Sequence, residues 1–144
     1  ALIKSILDNN KPILGICAGM QLLGGMLGAK MTPNAIKYYN SSINHLDEYP
    51  REEKAHKINI ETNTRLYNII NKDSIDVNSA HSESIVQVPN NIIISAKCDD
   101  GVVEAIEIPE YKFALGIQWH PEFFLDDTSD DMKIFKSFVM NCLS

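Results

Sequence analysis

A short apolar run, Ile13-Leu14-Gly15-Ile16-Cys17, passes straight into Ala18-Gly19-Met20-Gln21-Leu22-Leu23, which reads as a helix fading at Gly24-Gly25 or Gly28. The run is too short for a buried helix and reads as a strand buried on both faces. Before it, Leu2, Ile3, Ile6 and Leu7 fall on one helical face, and Asp8-Asn9-Asn10 ends that helix. The order helix, buried strand, sharp turn, helix predicts an α/β fold with a parallel sheet and helices on its faces.

The rest of the chain fills in that layout. Residues Met31 to Glu53 are polar and weakly periodic and read as loop with one helical turn. Strands are expected at His56–Glu61, Ile75–Val77, Ile92–Cys98, Val102–Ile108 and Phe113–Trp119, and a short helical turn at Leu66–Ile70. Asp99-Asp100-Gly101 is a tight-turn signal that makes a hairpin of the two strands around it. A last helix opens on the capping box Thr128-x-x-Asp131, with Phe135, Phe138, Val139 and Cys142 on its apolar face. At 144 residues the chain fits one domain, 1–144. The opening Ala1-Leu2-Ile3-Lys4 reads as if cut inside a helix.

Composition narrows the function classes. With 44% hydrophobic and 22% charged residues the chain is not disordered. A net charge of −6 without a basic stripe argues against nucleic-acid and anionic-membrane partners. The longest apolar runs are about half the roughly 20 residues of a membrane span, and no secretory signal is seen. The three cysteines, Cys17, Cys98 and Cys142, are odd in number and far apart, which fits a reducing, cytoplasmic setting better than a disulfide framework or zinc ribbon.

Two short motifs carry chemistry. In Gly15-Ile16-Cys17-Ala18-Gly19 a cysteine stands between strand and helix, with small residues two positions to either side that let the backbone turn sharply. The helix N-terminus is expected to lower the thiol pKa, and the Ala18 N–H to face a developing oxyanion. A buried structural cysteine reads the same way from these five residues alone. In Gln118-Trp119-His120-Pro121-Glu122 a histidine sits at a strand end, and Glu122 is placed to hold its tautomer. A surface histidine in a proline turn is the alternative. Taken together, the two motifs form a Cys–His–acid constellation.

On these residues the chain resembles the class I glutamine amidotransferase superfamily, nearest to the γ-glutamyl hydrolase branch of γ-glutamyl-γ-aminobutyrate hydrolase type. The stretches that carry the resemblance are Lys11–Leu23, Val77–His81, Asp100–Glu107 and Phe113–Phe123. It implies a flavodoxin-like domain with a mostly parallel sheet flanked by helices, its N-terminal part missing here. It implies Cys17 as nucleophile, His120 as general base and acid, Glu122 as orienting acid and Ala18 as oxyanion donor. Gln21, His81 and Ser82 are implied at the substrate. The implied reaction is hydrolysis of a small-molecule γ-glutamyl amide through a thioester, with no metal or organic cofactor.

The chain departs from the branch at Ala18, where arginine is usual, and at His81-Ser82-Glu83, where His-His-Gln is usual. A carboxylate at Glu83 facing the pocket would repel an acidic substrate. The branch also has strands and a glycine-rich loop before the elbow, and that loop gives the second oxyanion N–H. A companion N-terminal chain or a homo-oligomer is therefore expected, and an open sheet edge without one. The rival readings are an inactive truncated relative serving as scaffold or partner subunit, and a glutaminase subunit delivering ammonia to a synthase. His56 reads as structural, His45 as a loop residue without a partner, Trp119 as core or pocket wall, and Cys98 and Cys142 as buried.

Overall fold

The computed structural model describes residues 1–46 and 50–144. In chain order it contains α1 (Leu2–Asp8), β1 (Ile13–Ile16), α2 (Ala18–Met26), β2 (Lys30–Thr32), α3 (Ala35–Tyr39), β3 (His56–Ile60), α4 (Arg65–Ile70), β4 (Ser74–Val77), β5 (Ser84–Gln87), β6 (Ile93–Lys97), β7 (Val103–Glu107), β8 (Ala114–Ile117), a 3-10 turn (Pro121–Phe123) and α5 (Asp130–Leu143). The expected loop from 31 to 53 contains the end of β2 and the helical turn α3, and its residues 47–49 lie outside the described residues. Among the described residues no helix is long and apolar enough to cross a membrane.

Six strands form one sheet in the order β1-β8-β7-β6-β3-β4, and β2 and β5 pair separately. Alternation along the strands sends side chains to two cores. On one face Leu115, Ile117, Phe113 and Trp119 pack with Leu66 and Ile70 of α4 and Ile134 of α5. On the other, Ala114, Ile106 and Val103 pack with Leu7 of α1 and Met20 and Leu23 of α2. The α/β architecture with helices on both faces is thus the expected one.

The sheet itself is mixed. Among the described residues only β1 and β8 run parallel, in the register Ile13↔Ala114 to Ile16↔Ile117. The other pairings, β8 with β7, β7 with β6, β6 with β3 and β3 with β4, are antiparallel. For β6 with β7 and β7 with β8 the reason is connection length. Asp99-Asp100-Gly101 turns β6 back on β7, with Gly101 at φ +94°, and the short link 108–113 turns β7 back on β8. A parallel pairing needs a crossover of a dozen residues or more, which these links do not supply. β1 also corrects the expectation of a strand buried on both faces: it pairs with β8 alone, at the sheet edge, and Ile13, Leu14 and Ile16 are half-buried.

The last helix is shifted by one residue from the capping box. Its cap is Ser129, whose hydroxyl accepts from the Met132 N–H at 3.0 Å, while Asp131 turns inward. There Asp131 accepts from the Trp119 indole N–H and from Lys54, each at 2.9 Å. That anchor rotates the helix so that Asp131 and Ile134 are buried and Phe138 half-buried. Cys142, expected to be buried, is exposed in consequence, as is Val139.

Gly15 and Gly116 face each other across β1 and β8. A Cβ on Gly15 would lie 2.7 Å from the backbone of Gly19, and one on Gly116 would lie 2.7 Å from Met20 Cγ. A Cβ on Gly19 meets nothing within 4 Å, so of the two flanking glycines only Gly15 is required by packing. We therefore expect Gly15→Ala to lose about 2–3 kcal/mol of stability through overpacking against backbone. Gly19→Ala should be neutral or gain up to ~1 kcal/mol from helix propensity. The denaturant midpoint of each variant, at unchanged m, checks this.

Candidate active site

Cys17 caps α2 with φ 53° and ψ −108°, a conformation that side-chain-bearing residues seldom adopt. Such a residue costs on the order of 1–3 kcal/mol and persists only where its surroundings hold it. Here its N–H donates to the Ile117 carbonyl at 2.8 Å, extending the parallel ladder, and its carbonyl accepts from Gln21 N–H at 3.3 Å, opening the helix. Strand and helix thus both claim this residue, and the side chain is thrust out at the turn.

The sulfur stands at a cavity of about 210 Å³ lined by Cys17, Gln21, Ala80, His81, Ser82 and Glu83. Two larger cavities, each of about 510 Å³, one near Lys54 and Lys72 and one near Arg65 and Glu107, have no cysteine or histidine among their described lining residues. Gln118, fully buried, reaches Cys17 Sγ with its amide at 3.6 Å. Gln21 donates to Gln118 Oε1 and to the Glu83 carbonyl, both at 3.2 Å. The Ser82 hydroxyl donates to the Pro33 carbonyl at 3.3 Å. Burial raises the Cys17 thiol pKa, outweighing the Ala18 N–H, the Gln118 amide and the charge of Arg51, which act the other way. The expected lowering by the helix N-terminus is therefore overruled by desolvation.

His120 lies three residues past the end of β8, which stops at Ile117 rather than at the expected Trp119, and its Nδ1 makes a short hydrogen bond to Glu122 Oε1. That leaves Nε2 as the ring nitrogen free for another partner. The backbone there is clamped by Asn78, which accepts from the His120 N–H at 2.8 Å and donates to its carbonyl at 2.9 Å. Neither Asn78 nor Gln118 has a role assigned from sequence alone. The signal for both is a buried amide next to a strand end, which burial reveals and sequence does not.

Beneath the cavity lies a polar core. Glu104 of β7 is 1% exposed, and ring nitrogens of His45, His56 and His81 each stand 3.6 Å from its Oε1. His45, read from sequence as lacking a partner, is fully buried and bonded through Nε2 to Asp100 at 2.7 Å. The turn at 99–101 brings that carboxylate to it from far along the chain. His81 belongs to both places, since it lines the cavity and faces Glu104.

The chain is 35% identical to a glutamine amidotransferase-like protein of Rickettsia prowazekii, over 96% of this chain and 62% of that protein. It is 30% identical to the gamma-glutamyl-gamma-aminobutyrate hydrolase PuuD of Escherichia coli K12, over 99% of this chain and 58% of that one. The chain thus spans about three-fifths of the length of these curated relatives. Its fold matches the crystal structure of a Thermoplasma acidophilum protein described as a GMP synthase component, with a TM-score of 0.72 and 23% identity, covering 99% of this chain and 62% of that one. The Peptidase C26 family matches residues 1–122, from the first helix through the elbow to the His-x-Glu turn, and the chain belongs to this class I glutamine amidotransferase-like family.

Proposed function

We propose that this chain carries the nucleophile side of a γ-glutamyl amide hydrolase. The observation that carries the reading is the pairing of β1 with β8. A cysteine in a forced positive-φ turn and a histidine held by a carboxylate leave the same end of two parallel neighbours.

In this reading His120 Nε2 takes the Cys17 thiol proton as sulfur attacks the γ-carbonyl. Glu122 holds the ring and stabilises the imidazolium. The Ala18 N–H, at the free end of α2, faces the oxyanion. Collapse breaks the C–N bond, and the proton passes from His120 to the leaving amine. Water then attacks the thioester, giving up a proton to His120, and the Cys17 thiol and a γ-carboxylate are released. Gln21, His81 and Ser82 line the substrate cavity. A thiol with raised pKa fits deprotonation during attack rather than a resting thiolate. The family membership and the activity named for the Escherichia coli relative support the γ-glutamyl group as substrate. The unit 1–144 is read as one part of the amidotransferase-like domain. The open edge of β1 is the place where a further strand, from a companion segment or another copy, would pair.

The direct test incubates the chain with γ-glutamyl-γ-aminobutyrate and, separately, with glutamine, and follows release of the amine. Hydrolysis that disappears in Cys17→Ser, with a γ-glutamyl adduct trapped on Cys17 in the wild type, is the expected result. Turnover undiminished in Cys17→Ser would overturn the assignment. The raised thiol pKa also predicts that alkylation of Cys17 by iodoacetamide still accelerates with pH beyond the ordinary thiol value of about 8.5. A plateau reached below about pH 7 would instead reveal a resting thiolate.

Glu83 lines the cavity, and we propose that its carboxylate turns toward the substrate and opposes the free carboxylate of an acidic one. Glu83→Gln should lower KM for γ-glutamyl-γ-aminobutyrate several-fold, and the effect should shrink as salt screens the charge. A KM unchanged at low salt would place that carboxylate away from the substrate.

A further inference from the structure

Three of the chain's four histidines converge on one buried carboxylate, and the way each ring is held is the informative part. The His45 Nε2–H donates to Asp100 at 2.7 Å. The His81 Nδ1–H donates to the Glu83 carbonyl at 2.8 Å, and the His56 Nδ1–H faces the Lys57 carbonyl at 3.4 Å. With the outer nitrogen of each ring engaged as donor, the inner nitrogen of a neutral ring carries a lone pair. Those inner atoms, His45 Nδ1, His56 Nε2 and His81 Nε2, are buried without hydrogen-bond partners, as is Glu104 Oε2. Lone pairs aimed at a carboxylate repel it, and a buried polar atom left unpaired is costly. A cation among them removes both penalties. The pattern of rings whose far nitrogens donate to a carboxylate or carbonyl is also what fixes histidines for metal ligation.

A thiol completes the set. Cys98, 4% exposed, lies with its sulfur 3.3 Å from Glu104 Oε1 and 3.4 Å from His56 Nδ1. One ligand atom each from His45, His56, Cys98 and Glu104 lie within 4.8 Å of one another. Donors around a tetrahedral zinc ion stand roughly 3.3–3.6 Å apart, so small ring rotations close the set. The donors come from the loop before β3, from β3, from the end of β6 and from β7. Nitrogen, sulfur and oxygen donors together select a borderline-soft ion over magnesium or calcium.

We propose that His45, His56, Cys98 and Glu104 form a buried binding site for a divalent ion of the zinc class. Asp100 orients His45, and His81 joins the site to the cavity. Binding displaces the Cys98 thiol proton to solvent, leaving a thiolate ligand. The ion ties four separate segments together under the cavity floor. This site stands whether or not Cys17 is catalytic.

The test uses the full chain carrying Cys17→Ser and Cys142→Ser, so that Cys98 is the sole thiol. Titration with cobalt(II) is expected to give a tetrahedral d–d spectrum and a thiolate-to-cobalt charge-transfer band, both saturating at one equivalent and bleached by zinc. Cys98→Ser should abolish the charge-transfer band. Asp100→Asn, which alters the acceptor behind His45 and no ligand, should weaken binding by about 10–100-fold. Two results would overturn the proposal without requiring any further variant to fold. One is no cobalt spectrum at one equivalent; the other is zinc affinity no higher than that of the urea-unfolded chain. A charge-transfer band that survives Cys98→Ser would overturn the ligand set.

Discussion

The register of β1 on β8 is the constraint on which the site depends. Parallel partners end at the same edge of a sheet, and here Ile16 stands opposite Ile117. The residues just beyond are therefore brought together although about a hundred positions separate them in sequence: Cys17 past one strand and Gln118 past the other, with the Gln118 amide 3.6 Å from the Cys17 sulfur. The ladder continues one step past the strand through the Cys17 N–H to Ile117, which fixes the turn where the cysteine stands. The facing pair Gly15 and Gly116 lets α2 settle close against both strands. A side chain at either position would push the helix away and move its first N–H groups from the sulfur.

Burial of charge is the second organising cost. An unpaired carboxylate inside a protein is severely destabilising, so each one has to be answered locally. Glu107 is answered by the first N–H groups of α4, accepting from Arg65 at 2.8 Å and Leu66 at 3.4 Å. Asp131 is answered by Trp119 and Lys54, and that choice sets which face of α5 is buried. Glu104 Oε1 accepts from the Cys98 thiol at 3.3 Å, while three imidazole nitrogens stand 3.6 Å from it without completing hydrogen bonds. The contrast between these three carboxylates, two satisfied and one with an oxygen left over, is what singles out the polar core beneath the cavity.

The chain's own order of residues determined a good deal. The short apolar run entering a helix, the Asp99-Asp100-Gly101 turn and the long amphipathic end gave elements that local periodicity and turn chemistry are able to specify. The Cys-Ala step and the His-Pro-Glu turn were legible because strand ends and proline constrain the backbone over a few residues. The tertiary structure decided the rest. Short links, not strand composition, made β6, β7 and β8 antiparallel neighbours. Desolvation, not the helix end, set the direction of the Cys17 pKa. A long-range anchor at Asp131 moved the cap to Ser129 and left Cys142 in solvent. His45 gained Asp100 and Glu104 as neighbours only when the turn at 99–101 and β7 came to rest against its loop. Propensity acts over neighbouring residues, whereas pairing, burial and the answering of buried charge depend on which distant segments share the same space.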